Sequence, residues 1–211
     1  MLESDATLPP GALLNTSRAA LRKNLAGTGC LFLEGQPDRF ICDEESGAVT
    51  RWNSSLSTVN AVPTEPNIGH TFLADKGNVS GVQCTTGIHS GLVVNGVTEN
   101  AARLTMAVVY LPPAEGEPRT LLTINTGYAS GDAKSGNYLF LSDGGDAFTI
   151  KDTKGAVEMI VPVTSQPDAP RMAVVSLSGG QLAFQENLGP IHQISAGDPG
   201  MHSAADLCIG C

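Results

Sequence analysis

The chain has 211 residues, 41% of them hydrophobic and 16% charged, a composition that fits one folded domain and excludes a disordered one. With 21 acidic against 12 basic residues the net charge is −9, which excludes an electrostatic grip along a nucleic-acid backbone. No apolar run reaches the ~18 residues of a membrane-spanning helix. In chain order, Met1-Leu2-Glu3-Ser4-Asp5 is acidic and lacks the apolar centre of a secretory signal. Residues 1–14 are irregular, since Pro9-Pro10-Gly11 forbids regular structure. The one helix signal follows. Asn15, Thr16 or Ser17 can cap it, Ala19, Ala20, Leu21 and Leu25 supply an apolar stripe, and Gly27 stands where a helix stops. Arg18, Arg22 and Lys23 make this segment basic on an acidic chain. They read either as cations complementing the helix dipole on a solvated face or as an attachment site for an acidic partner.

From Gly29 onward the pattern is β. Residues 30–33 and 39–42 read as strands on either side of a turn at 34–38, and residues 48–52 alternate. Residues 60–78, broken by Pro63 and Pro66, read as a long irregular connection. Residues 81–84 and 91–94 are short strands, and residues 104–110 form the longest β-favouring run, placed as a central strand. Another strand spans 120–125, and a long loop over 126–137 leads to Tyr138-Leu139-Phe140-Leu141. Ser142-Asp143-Gly144-Gly145-Asp146 then separates that run from Ala147-Phe148-Thr149-Ile150. Asp and Gly tolerate the positive φ of tight hairpin turns, so this is a hairpin. Ser178-Gly179-Gly180-Gln181 repeats the same grammar ahead of Leu182-Ala183-Phe184, a Gly/Pro/His loop follows, and residues 205–210 form a last strand. Short strands with turn signals at this spacing predict an all-β, two-sheet antiparallel sandwich over residues 29–211, preceded by an arm and short helix over 1–28.

The chemistry of most enzymes is missing from this pattern. Asp43-Glu44-Glu45 is a consecutive acidic run that reads as a turn, and no G-x-S-x-G or H-E-x-x-H motif occurs. His70, His89, His192 and His202 are scattered and read as surface loop residues. The five cysteines read as free thiols, with a Cys30–Cys42 pair as the alternative in an oxidising medium. Cys208 and Cys211 have C-x-x-C spacing, but no second Cys or His pair completes a zinc set, so neither metal nor cofactor is expected. Asp143 and Asp146 have the oxygen chemistry for calcium, and a hairpin turn explains both without it. Sugar binding needs aromatic faces beside hydrogen-bonding amides and carboxylates. The best local cluster of that kind is Tyr128, Asp132, Asn137 and Tyr138, in or beside the 126–137 loop.

The order of these features resembles the LamG-like members of the concanavalin A-like lectin/glucanase superfamily. The similarity rests on Val49-Thr50-Arg51-Trp52-Asn53-Ser54, on residues 104–110, on Leu121-Leu122-Thr123-Ile124, on Met172-Ala173-Val174-Val175-Ser176 with Gly180-Gln181-Leu182-Ala183-Phe184, and on Asp206-Leu207-Cys208-Ile209-Gly210. It covers roughly residues 40–211 and implies a jelly-roll sandwich. The family's pattern continues past the matched closing strand, so either the N-terminal segment supplies the final strand or, the favoured expectation, the sandwich continues beyond Cys211. Glucanases of the superfamily carry an E-x-D-x-x-E strand, which this chain lacks, so the expectation is a protein that is not an enzyme. Its expected role is that of a non-catalytic attachment component of a virion-like spike or fibre, assembled in the cytoplasm and then displayed outside the cell. Its expected partners are a capsid, tail or fibre protein at the arm, cell-surface polysaccharide at the sandwich, and further copies of itself. A free-standing carbohydrate-binding module and a polysaccharide-degrading enzyme are the alternatives.

Overall fold

In the computed structural model, which describes residues 12–26, 30–65, 69–76, 79–84, 91–98, 103–112, 119–125, 139–152, 157–166, 169–196 and 205–210, helix α1 spans Ala12–Leu25. A short 3-10 turn over Pro37–Arg39 precedes β1 (Phe40–Cys42), β2 (Val49–Asn53), β3 (Asn60–Pro63), β4 (Thr71–Lys76) and β5 (Val79–Gln83). The chain continues through β6 (Leu92–Thr98), β7 (Leu104–Tyr110), β8 (Arg119–Asn125), β9 (Leu139–Asp143) and β10 (Ala147–Asp152). It closes with β11 (Val157–Pro162), β12 (Arg171–Ser178), β13 (Gln181–Glu186), β14 (Ile191–Ser195) and β15 (Ala205–Ile209).

The glycine turns make the hairpins. Between β12 and β13, Gly179 (φ 58) and Gly180 (φ 73) are both left-handed, as a two-residue type I′ turn requires. Between β9 and β10, Asp143 Oδ1 accepts the Gly145 N–H at 2.8 Å, and the Gly144 N–H donates to the Ala147 carbonyl at 2.9 Å. These pairings build a nine-stranded antiparallel sheet of order β1-β2-β3-β6-β15-β8-β9-β10-β11, a four-stranded sheet of order β14-β13-β12-β7, and the β4-β5 hairpin. The expected all-β sandwich, with one short helix ahead of it, is what forms.

Alternation with period two puts one face of each strand into the core. β12 buries Arg171, Ala173, Val175 and Leu177, and β10 buries Phe148, Ile150 and Asp152. The main core lies between the four-stranded sheet and the β15-to-β11 half of the large one, with Leu139, Leu141, Phe148, Ile150 and Leu182 at 0% exposure. Phe148 and Phe184 meet across it with ring centroids 4.8 Å apart. Burying a side chain of this kind stabilises the fold by about 1.5–3 kcal/mol. A second cluster, Ala61, Leu92 and Val94, sits beside it and is covered by Leu31, Leu33, Trp52 and Val82. Leu207 and Ile209 of β15 pack against both clusters.

The structure corrects several local expectations. Residues 30–33 form no strand; Leu33 makes one isolated bridge to Ser54, and β1 pairs instead with β2. Pro37, which opens the 3-10 turn, has no N–H to give to the expected pairing. The presumed irregular connection holds β3 and β4, with Pro63 tolerated at the last position of its strand. β7 is an edge strand, not a central one, because only β12 pairs with it. The Gly/Pro/His loop contains β14. His70 is fully buried, its Nε2–H donating to the Gly91 carbonyl at 2.9 Å, while its own carbonyl accepts from Val49 at 2.8 Å. Cys30 and Cys42 are free thiols, so the Cys30–Cys42 alternative is not realised.

Candidate functional site

Tyr128, Asp132, Asn137 and Tyr138 lie outside the described residues, in the connection from β8 to β9, as does the side chain of Arg18. Arg22 and Lys23 are described, and they differ. Lys23 is exposed, whereas the Arg22 guanidinium is engaged within the chain. Its Nε donates to Glu34 Oε2 at 2.7 Å, and a terminal nitrogen donates to Gln36 Oε1 at 3.0 Å. Ser55 donates to the same Glu34 carboxylate, and Trp52 Nε1 donates to the Glu34 carbonyl at 2.8 Å. Glu34 thus fastens α1 to the β1-β2 end of the sandwich.

Two further carboxylates are committed to holding the sheets together. Asp143, at the end of β9, accepts Arg171 at 2.6 Å and the Tyr110 hydroxyl at 2.5 Å, both from the opposite sheet. The Asp143 and Arg171 side chains are 2% and 4% exposed, so no solute reaches them. Burial, and then the Asp143 charge beside it, push the Tyr110 hydroxyl far above its ordinary pKa, which keeps it a donor. Asp143 therefore serves as an inter-sheet clamp. Glu186, on β13, accepts the backbone and hydroxyl donors of Thr164 and Ser165, with the Thr164 N–H at 2.8 Å and its hydroxyl at 2.6 Å. Among the described residues, no three His, Cys, Asp or Glu side chains are grouped to hold a metal ion.

The outer face of the large sheet carries a different arrangement. Residues paired directly across an antiparallel ladder share a face. The register aligns Val62, Val93, Cys208, Thr123, Phe140, Lys151 and Glu158 in one row across seven strands, on the face turned away from the core. At the β6-β15 end the row is closed off, with Val93 at 7% and Cys208 at 1% exposure. From Thr123 onward it opens. Thr123 and Phe140 are half-buried, and Lys151 and Glu158 pair at 3.1 Å with 42% and 44% of their side chains exposed. Ser142, Thr149 and Ile160 form the neighbouring row. The open stretch thus presents a hydroxyl, an aromatic ring, an ammonium and a carboxylate on four successive strands. Sequence inspection did not assemble it, because its members lie up to 35 positions apart from Thr123 to Glu158.

The architecture is a jelly-roll sandwich. No protein-family model matches the chain, and no curated protein matches it. Among solved structures it is similar to the β-glucanase of Bacillus licheniformis, at 10% identity and a TM-score of 0.43, covering 85% of this chain and 77% of that one. It is also similar to the enzymatically active domain of a bacteriophage CBA120 tailspike protein, at 15% identity and a TM-score of 0.46, covering 74% of this chain and 27% of that one. A third is a family 7 alginate lyase in complex with substrate, at 11% identity and a TM-score of 0.36, covering 76% and 71%.

All three are named as enzymes, and this overturns the expectation that the chain is not one. The physical fault in that expectation is plain. The missing E-x-D-x-x-E pattern excludes one way of placing two carboxylates on one strand. A sheet also juxtaposes side chains from strands far apart in sequence, as the Thr123-to-Glu158 row does.

Proposed function

We propose that this chain engages a neutral polysaccharide on the outer face of its large sheet. The observation that carries the reading is the open row of Thr123, Phe140, Lys151 and Glu158. Four strands at their ~4.8 Å spacing extend the row over about 14 Å, which suits an extended oligosaccharide better than a single ring. Phe140 offers a face for sugar C–H patches, while the hydroxyl, ammonium and carboxylate offer donors and acceptors for sugar hydroxyls. Tyr128, Asp132, Asn137 and Tyr138, in the sequence that connects β8 to β9, are groups of the same kind and are part of the same proposal. A net charge of −9 repels polyanions at long range, which favours a neutral polymer.

In this reading the chain is part of a spike- or fibre-like surface assembly. The N-terminal arm and α1 tether it, and Lys23 is an exposed cation of that tether. The test is a panel of neutral and acidic polysaccharides offered to the full chain, with binding followed by calorimetry and cleavage by the appearance of new chain ends. Binding of a neutral polymer that changes little with salt and weakens about tenfold or more in Lys151→Ala/Glu158→Ala supports the site. Unchanged binding in that variant, or no binding across the panel, rejects it.

A further inference from the structure

Unpaired sheet margins invite pairing with another chain, and most margins here are protected. β1 is three residues long and bulged. β11 ends in Pro162 and carries the exposed Glu158. β14 has five residues and follows exposed Pro190. The β4-β5 hairpin has a register shift, and β4 includes Asp75 and Lys76. β7 has none of these devices. Its seven residues, Leu-Thr-Met-Ala-Val-Val-Tyr, include no charge, proline or glycine and pair with β12 without a register break. No described strand pairs with its other side. Thr105, Ala107 and Val109 point outward and are exposed, Val109 by 56%. The outward residues of β12, β13 and β14 beside them are also uncharged.

We propose that β7 pairs with the β7 of a second copy of this chain, antiparallel about a two-fold axis at Ala107, so that two four-stranded sheets become one continuous sheet. The edge and the outer face beside it carry no charged side chain, so two copies of net charge −9 can pair there without opposing like charges. The sequence is also self-complementary. With Ala107 on the axis, Leu104 faces Tyr110, Met106 faces Val108 and Thr105 faces Val109, so inward residues meet inward ones and outward meet outward. The small side chain on the axis lets the two backbones approach, and Thr105 opposite Val109 is a favourable β-branched pair. Seven paired residues bury less than a standard interface, so the dimer depends on concentration.

Light scattering and sedimentation of the full chain over a concentration series test this. The expected mass rises from 21.8 kDa towards twice that value. Ala107→Asp and Ala107→Lys each place like charges face to face on the axis, and each is expected to abolish the dimer while an equimolar mixture of the two restores it. Ile191→Asp, on the opposite edge of the same sheet, is expected to leave association unchanged. Hydrogen exchange on the unsubstituted chain gives a readout free of folding artefacts, with β7 amides gaining protection as concentration rises and β14 amides not doing so. A monomer at every concentration overturns the proposal. So does a dimer that survives both Ala107 substitutions, or one in which β7 exchange does not depend on concentration.

Discussion

Arg171 reaches Asp143 from the opposite sheet at 2.6 Å, and both side chains are almost fully withdrawn from water. Removing one charge of such a pair strands the other, at a cost of about 3–5 kcal/mol. Arg171→Met is therefore expected to lower the free energy of unfolding by that amount in urea titration. Tyr110→Phe leaves the ion pair intact and removes one hydroxyl donor, so a loss of about 1–2 kcal/mol is expected. If the two substitutions cost the same, the ion pair does not dominate the clamp. Glu186 behaves differently. Burial raises its pKa, but the donors of Ser165 and Thr164 outweigh burial and hold it below its ordinary 4.5. A carboxyl whose folded pKa is depressed contributes stability that is present above 4.5 and is lost as pH falls through the lower folded value. The melting temperature is therefore expected to fall on the acid side of 4.5, and to fall less steeply in Thr164→Val/Ser165→Ala. Parallel acid profiles for the two proteins would count against this account.

The β12-β13 turn makes a sharp demand on sequence. Gly180 at φ 73 sits where a β-branched side chain is strained, so Gly180→Val is expected to cost about 1–3 kcal/mol in thermal unfolding. Gly179→Asn, at φ 58, is expected to be nearly neutral, because Asn tolerates the left-handed region. This chemistry is why the hairpins were legible in the sequence, since Asp143-Gly144-Gly145 and Gly179-Gly180 announce both the turn and its register. β14 was not legible, because Gly189 and Pro190 ahead of it and His192 and Gln193 within it are loop-like residues. It is a strand because β13 offers its edge. The basic stripe at Arg22 suggested an external partner, yet the acid that meets it lies 12 positions along the same chain, beyond local patterning. His70 misled in the same way, since whether a histidine is inside or outside depends on what covers it. The row from Thr123 to Glu158 was hidden for a related reason. Its members are ordinary strand residues until pairing lines them up.

At the scale of the molecule the two core clusters share Leu207 and Ile209, so β15 couples them. Ile209→Ala removes packing from both sides and is expected to cost about 2–4 kcal/mol. The single tryptophan, Trp52, reports the smaller cluster, while far-ultraviolet circular dichroism reports the whole. Both urea transitions are expected to shift together in this variant. A Trp52 transition left in place while the other moves would show the clusters to be independent. The location of β15 also bears on the order of events during synthesis. It lies between β6 and β8 and pairs with both, although residues 92–98 and 119–125 leave the ribosome long before residues 205–209. Until then the nascent chain can hold its hairpins, but the large sheet lacks the strand that joins its two halves, and two strand edges stand open. The two halves of the large sheet are thus joined only once residues 205–209 have been translated. That interval is when chaperones, or the edges of neighbouring nascent chains, compete for the gap.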